Sequence, residues 1–399
     1  MKTLKVVIGS EFRGIHSGWE VRYVGLLNEL QKYYAMSIYA PGDTSGLKDM
    51  YSQAWICQST PKPVGPVWNR KKFLKELALP SRCNPMKSFF PYSPGLDQLL
   101  AADQIAYDAV LYFGTFSYVF YGQREQNENI ICDFCDSYLR QIDTQRRSND
   151  HLLNKLSCFL DANYLSRVKK KFIPEKLKIL AITDTDARYI SSALDKNAIY
   201  SIPNGVNMRI SDVNKSLKGK YSSKYVIFVG NLNYRVNVES ILEVVYNIWP
   251  SISEQHPEMI LKIIGRWPTA ELEKAAAQAK GIELVGPVED VTPYYVEAKL
   301  FLAPMFSGGG LKNKFLESFS AGTPIVTTPE GVRGLDFQSG CQGEIGRTTE
   351  ELINCAGKIL SCTEDIYATY VKKCITLASK YNWETIGLEL KNIIDKNGK

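Results

Sequence analysis

The sequence predicts an α/β protein built from two Rossmann-like domains, each a parallel sheet with helices on both faces. Three observations predict it. At 399 residues the chain is too long for one ordinary hydrophobic core and suits two domains of about 200 residues. Short apolar runs without alternation recur, the pattern of strands buried on both faces. Segments of helical period separate these runs, and the strand–helix order occurs twice. The domains are placed at 1–200 and 201–380, with a last helix at about 381–396.

The first half opens with the strand Leu4–Ile8 and a loop over Arg13–Ser17. Trp19–Tyr33 follows as a helix through Val21, Val24, Leu27 and Leu30. Strands are predicted at Ser37–Tyr39, Ala109–Phe113, Asn129–Cys132 and Ile179–Ile182. Pro203, Asn204 and Gly205 break the chain within a joint at Ile202–Ser223. The second half repeats the pattern, with strands at Tyr225–Val229, Met259–Ile264, Ile282–Val285, Leu300–Ala303 and Pro324–Thr327. Its helices are predicted at Val236–Trp249, Lys312–Ser320 and Thr349–Leu360. Neither first strand carries a GxGxxG fingerprint, which argues against tightly bound NAD or FAD. Residues 60–95 mix seven prolines with Trp68, Phe73, Phe89, Phe90 and Tyr92. That segment reads either as part of an acceptor groove or as a prolyl loop packed on its own domain.

The strongest local signal is the run from Ser307 through Gly308, Gly309, Gly310, Leu311, Lys312, Asn313 and Lys314 to Glu317. Three glycines stand between a strand and a helix, at the carboxyl edge of an open sheet, where ligands bind. Glycine lets backbone approach a ligand, and free N–H groups at the helix start attract phosphate. Lys314 adds a positive charge there. Glu317, three residues on, shares the helix face and is able to accept hydrogen bonds from ribose hydroxyls.

These residues, continued through Ala321-Gly322-Thr323-Pro324, resemble the GxxNKxLEAMAxGxPVV motif of the retaining GT-B glycosyltransferases of family four. Bacterial polysaccharide-type sugar transferases are the nearest group. The segment Phe228-Val229-Gly230-Asn231 through Val238 is similar to the first strand and loop of the family's donor domain. Ile264-Gly265-Arg266 and Val285-Gly286-Pro287-Val288 match its two middle signatures, the latter beside the base pocket. The resemblance covers residues 200–390 in order. It implies two Rossmann-like domains facing across a cleft, with the C-terminal helix crossing back and Trp383 as a packing anchor.

The resemblance further implies that Lys314 contacts the donor phosphates and Glu317 the ribose. The backbone of Gly309, Gly310 and Leu311 would face the donor, and Gly286 would border the base. Arg235 and Arg266 are secondary phosphate candidates, or structural residues at a helix start or in an ion pair. Many relatives carry two glutamates eight residues apart; here the first is replaced by Gly309. In the first half, Gly18 corresponds to a glycine that lets the first loop close on the donor. Arg22, one turn on, reads as a charge partner or a core-edge residue. Cys132-Asp133-Phe134-Cys135-Asp136 occupies a region near the sugar where relatives place a histidine; Asp136, or else Asp133, would supply the polar contact. Asp136 otherwise caps the next helix. His16 reads as a loop residue, since retaining transfer needs no protein base.

The implied reaction moves a sugar from a nucleotide diphosphate, UDP- or GDP-linked, to a glycan, lipid-linked or protein acceptor with retention. No other cofactor and no metal are expected. Asp184-Thr185-Asp186 has the DxD pattern of manganese sites in the other major glycosyltransferase architecture, yet it follows a strand and opens a helix, so capping by Thr183 or Asp184 explains it. Nine thinly spread cysteines and three histidines (His16, His151, His256) read as free thiols without a zinc site.

The net charge of +6 is uneven, with 24 Lys/Arg against 17 Asp/Glu in residues 1–180. That excess suits an anionic partner or is simply a solvated face. Residues 151–178 combine leucines with a basic end and fit either a core helix or peripheral contact with an anionic membrane. No run reaches the 18 or so apolar residues of a spanning helix, and the short first strand reads as fold rather than export signal. The expected location is cytoplasmic, either free or peripheral at the inner face of the membrane.

Rival readings fare worse. A nucleic-acid-binding protein leaves the Gly-rich run unexplained, and no recognition module is present. An epimerase would need a carboxylate-rich cleft, and a phosphorylase a pyridoxal-phosphate lysine region. A GT-B protein that binds donor with low activity is made conceivable by Gly309.

Overall fold

The computed structural model describes residues 1–10, 12, 18–51, 53–59, 92–135, 173–194, 198–208, 219–307 and 310–396. The chain divides into two compact units: unit 1 is Met1–Pro203 with Ile386–Lys399, and unit 2 is Asn204–Thr385.

Unit 1 contains the strands β1 (Lys2–Ile8), β2 (Tyr34–Pro41), β3 (Trp55–Ser59), β4 (Ala109–Phe113), β5 (Ile130–Cys135), β6 (Lys178–Ala181) and β7 (Ile199–Ser201). They form a parallel sheet in the order β3-β2-β1-β4-β5-β6-β7. Around it lie α1 (Gly18–Leu30), α2 (Ser45–Met50), α3 (Pro94–Ala102), α4 (Thr115–Tyr121) and α5 (Asp184–Leu194). Leu4, Val6, Val7 and Ile8 are fully enclosed, as are Ile130, Ile131, Ile179 and Leu180. Burial on both faces is why these strands read as unbroken apolar runs.

A buried ion pair fixes the carboxyl end of this sheet. Arg22 of α1 grips Asp133 of β5 bidentately, Nε to Oδ2 at 2.7 Å and Nη2 to Oδ1 at 2.9 Å. Its Nη1 donates to the Ile202 carbonyl at 2.8 Å. Burial alone would lower the guanidinium pKa, but the Asp133 carboxylate overrides it and raises the value. Both partners are fully enclosed, so Arg22 is a charge partner in the core and Asp133 is not a ligand contact. Cys135, which ends the strand, has a left-handed backbone (φ 54°), and its N–H donates to Asp133 Oδ1 at 3.2 Å. Asp136, the next residue, lies outside the described residues.

Unit 2 contains β8 (Tyr225–Val229), β9 (Ile260–Ile264), β10 (Ile282–Gly286), β11 (Leu300–Leu302), β12 (Ile325–Thr327) and β13 (Gly343–Ile345), again parallel, in the order β10-β9-β8-β11-β12-β13. Its helices are α6 (Arg235–Glu243), α7 (Trp249–Gln255), α8 (Ala270–Gln278), α9 (Thr292–Glu297), α10 (Asn313–Ser320), α11 (Thr349–Leu360) and α12 (Glu364–Ser379). A π-turn at Val244–Ile248 joins α6 to α7, so the helix predicted to end at Trp249 runs on to Gln255. From β8 the chain winds outward through β9 and β10, then returns to β11 on the other side of β8. The winding therefore reverses between β8 and β11, and ligands in such sheets bind beyond the carboxyl ends of the strands at this point.

The last helix, α13 (Trp383–Asp395), begins in unit 2 and passes into unit 1 at Ile386. Within unit 2, the Trp383 ring covers Gly205, where a Cβ would come within 2.3 Å of it. Trp383 is thus the packing anchor expected. Within unit 1, Lys178 Nζ donates to the Ile393 carbonyl at 3.0 Å, and Tyr34 Oη to Asp395 at 2.9 Å. Thr183 caps α5: its Oγ1 accepts from Asp186 N at 3.1 Å and donates to Asp186 Oδ2 at 2.7 Å.

Candidate functional site

The residues gathered at the switch point of unit 2 come from the loops after β8, β9, β10 and β11. Backbone hydrogen bonds tie three of these loops together. Gly230 N donates to the Ile264 carbonyl (3.1 Å), Leu232 N to Arg266 (2.9 Å) and Gly265 N to Gly286 (2.8 Å). Gly265 has to be glycine: a Cβ there would sit 1.8 Å from the Gly230 carbonyl oxygen. Gly286 ends β10 with open space where a side chain would project.

After β11 the chain runs through Phe306, half exposed, to Ser307, whose hydroxyl is enclosed without a hydrogen-bond partner among the described residues. A buried hydroxyl without a partner is costly in a finished core. Gly308 and Gly309 lie outside the described residues. Gly310 is left-handed (φ 65°), the turn that lets the backbone swing into α10. Leu311 buries its side chain, which anchors the turn and leaves its backbone as the element available to a ligand. The helix starts at Asn313, one residue later than predicted, because Lys312 stays extended as its N-cap (ψ 98°). Asn313 accepts from Asn204 Nδ2 at 2.6 Å, fixing the helix start to the Pro-Asn-Gly segment.

Lys314 and Glu317 project from one face of α10, one turn apart. The Lys314 ammonium donates to Asn237 Oδ1 at 2.7 Å and lies 4.8 Å from the centre of the Phe228 ring. Burial pushes its pKa down to about 7; the charge of Lys312 adds to that shift and Glu317 opposes it. Glu317 is half-buried beside the enclosed Tyr295. Burial first, then that carboxylate, hold the Tyr295 phenol well above its usual range. Behind them, Lys220 donates to the carbonyls of Tyr295 (2.8 Å) and Ala298 (3.0 Å) and to Thr323 Oγ1 (2.6 Å). Those contacts lock α9 and the turn after α10 in place.

The other predicted residues are placed as follows. Arg235 opens α6, exposed, and pairs with Glu239 one turn on at 2.6 Å. Arg266 is exposed in the loop after β9, tied to the β8 loop by its carbonyl. Gly18 opens α1 of unit 1, exposed; residues 13–17, His16 among them, lie outside the described residues. The same holds for residues 60–91 of the prolyl segment and 151–172 of the basic stretch. Among the described residues no group of three His, Cys, Asp or Glu side chains is arranged to hold a metal ion, and no helix is long and apolar enough to cross a membrane.

Sequence reasoning missed three residues here. Asn237 and Ser307 lie within the matched segments, and nothing in their spacing assigns them a role. Trp267 is 59% exposed in a left-handed conformation (φ 58°) that bulky residues rarely adopt, directly after Arg266. The signal for Trp267 was its position, since it follows the Gly265-Arg266 signature.

Comparison with known proteins places the fold and part of the chain. Residues 223–361 match the family described as Glycosyl transferases group 1, a span running from before β8 through α11 and containing the whole site. That match falls within unit 2. A protein of Haemophilus influenzae described as an uncharacterized glycosyltransferase is 26% identical over 153 residues, 37% of this chain and 41% of that protein. The chain therefore spans less than half the length of that relative. Among solved structures, the Anabaena protein HepE in complex with UDP and glucose superposes with a TM-score of 0.67 at 12% identity, covering 99% of this chain and 100% of that one. WaaG, a glycosyltransferase involved in lipopolysaccharide biosynthesis, gives 0.64 at 14% identity, covering 98% and 100%. The architecture shared with both is GT-B: two Rossmann-like units with parallel sheets.

Proposed function

We propose that this protein is a glycosyltransferase that moves a sugar from a nucleotide diphosphate to a glycan, lipid-linked or protein acceptor, with retention of configuration and without a metal. One observation carries the reading: Lys314 and Glu317 stand together on the first turns of a helix that follows a glycine turn at the switch point of the group 1 domain. UDP in the HepE complex supports a nucleotide-sugar donor. Retention and family four membership rest on the motif resemblance.

The chemical task is to let a diphosphate leave while positive charge builds on the sugar. Lys314 meets the charge growing on the leaving phosphate, and the amides at the turn before α10 add to it. Such preorganised donors contribute about 10²–10³ in rate each. Glu317 binds the ribose hydroxyls and fixes the register of the nucleotide. The Ser307 hydroxyl, enclosed and unpartnered, contributes a further donor contact. Lys314 takes the part that a divalent ion plays in other glycosyltransferases, so chelators leave activity intact on this reading. Cytoplasmic location and peripheral membrane contact belong to the same proposal and rest on sequence.

The test is a thermal-unfolding screen against UDP-, GDP-, ADP- and dTDP-sugars. One class should raise the unfolding midpoint, and Lys314→Ala should abolish that shift. No protection by any of the four contradicts the reading. Protection without transfer or hydrolysis would instead favour a donor-binding protein of low activity, the reading that Gly309 keeps open.

A further inference from the structure

We infer that Asn237 is a positioning residue of the donor site: its neutral amide fixes the Lys314 ammonium against the loop after β8 and leaves that charge free for a diphosphate. The inference rests on the reading of Lys314 as a diphosphate ligand.

The geometry uses both ends of the amide. Oδ1 accepts from Lys314 Nζ at 2.7 Å, and Nδ2 donates to the Asn231 carbonyl at 2.9 Å. Turning the amide over would set Nδ2 against the ammonium, donor against donor, and would point Oδ1 at a carbonyl, so the network fixes its orientation. The residue is only 7% exposed. It also fills the space left by Gly230, where a Cβ would come within 2.7 Å of Nδ2. One side chain therefore joins α6, the β8 loop and α10.

An amide is the side chain this position calls for. A carboxylate would close an ion pair with Lys314, repel an incoming diphosphate and lose the N–H that Asn231 accepts. An aliphatic residue would leave the ammonium without an acceptor. The charged groups that face Lys314 are Lys312 and Glu317, one of each sign. The Phe228 ring bounds the ammonium on another side and offers no hydrogen bond. Asn237 thus holds the lysine by a contact that does not neutralise it.

The experiment is a double-mutant cycle on the full chain, with UDP as the probe, titrated calorimetrically at pH 8. Wild type, Asn237→Ala, Lys314→Ala and the double variant are compared, each checked for folding by thermal melting. Lys314→Ala should weaken UDP binding about tenfold to a hundredfold, and Asn237→Ala about threefold to tenfold. In the Lys314→Ala background, Asn237→Ala should add nothing, because its effect passes through the lysine. Equal weakening by Asn237→Ala in both backgrounds overturns the inference while leaving Lys314 as a ligand. UDP binding by Lys314→Ala at wild-type strength overturns the donor-site reading itself. If Asn237→Ala does not fold, NMR of labelled lysine ε-groups in Asn237→Asp and Asn237→Ser decides. Asn237→Asp should raise the titration midpoint of Lys314, and an unmoved midpoint contradicts the contact.

Discussion

Two lysines in unit 2 are driven by burial to the same pKa of about 7, yet their surroundings differ. Lys220 spends its three N–H donors on two carbonyls and a hydroxyl, so its ammonium is saturated by fixed protein oxygens. Lys314 has one hydrogen-bond acceptor among the described residues, Asn237, and an aromatic ring. The lowered pKa does not tell the two apart; exposure and acceptors do, since Lys220 is buried and Lys314 half-buried. A saturated buried ammonium is a structural rivet. One with donor capacity to spare, at the carboxyl edge of a doubly wound sheet, is the one the proposed function assigns to the diphosphate.

The largest expected effect breaks the pair by chemistry. Lys314→Ala should lower donor turnover about 10²–10³-fold while moving the unfolding midpoint little. Lys220→Ala should do the reverse, taking a buried donor from the Tyr295 and Ala298 carbonyls and leaving a cavity in the core. A loss of about 2–4 kcal/mol and a midpoint lower by roughly 5–12 °C are expected by thermal melting. A Lys314→Ala protein that melts as early as Lys220→Ala would erase the distinction.

The next effect concerns pH. Lys314 loses its proton as pH rises through about 7, so affinity for a fully ionised nucleotide diphosphate should fall above that point. The limit is about tenfold per unit. Lys314→Arg keeps its charge and should flatten the profile. For Lys220 the linkage acts on stability. Its folded pKa lies below the ordinary 10.5, so between about 7 and 10.5 the unfolded chain binds more protons. Folding stability from this group should therefore rise with pH across that window, and Lys220→Met should remove the rise. Smallest of all, Ser307→Ala should weaken UDP binding about threefold to tenfold, read by calorimetry.

Much of the fold was legible because its strands are enclosed on both faces. Ala109–Phe113, Tyr225–Val229 and Thr349–Leu360 agree with the sequence reading to the residue. The strand β13 escaped because Gly343-Glu344-Ile345 carries a buried glutamate, held by Tyr370 and Lys358, where an apolar residue would be sought. The helix α12 was readable yet not read. Its buried Tyr367, Tyr370, Val371, Cys374, Leu377 and Ala378 repeat at helical spacing.

Within the site, Lys314, Glu317 and the glycine turn were visible because all lie within eleven residues of chain. Asn237 was not visible: its partner is 77 residues away, and only the pairing of β8 with β11 brings the two loops together. The buried pairing of Arg22 with Asp133 was hidden for the same reason, being 111 residues apart. A local motif shows in the sequence, while contacts between distant residues appear only with the topology.

The most direct measurement is the proton count on UDP binding, taken by calorimetry at pH 8 in buffers of different ionisation heat. Burial lowers the Lys314 pKa to about 7, and a bound diphosphate would raise it again, so binding should draw a proton onto the lysine. Wild-type protein should take up protons on binding UDP, and Lys314→Arg should take up none through this position. Binding heats independent of buffer in the wild type, or uptake that persists in Lys314→Arg, would contradict the account.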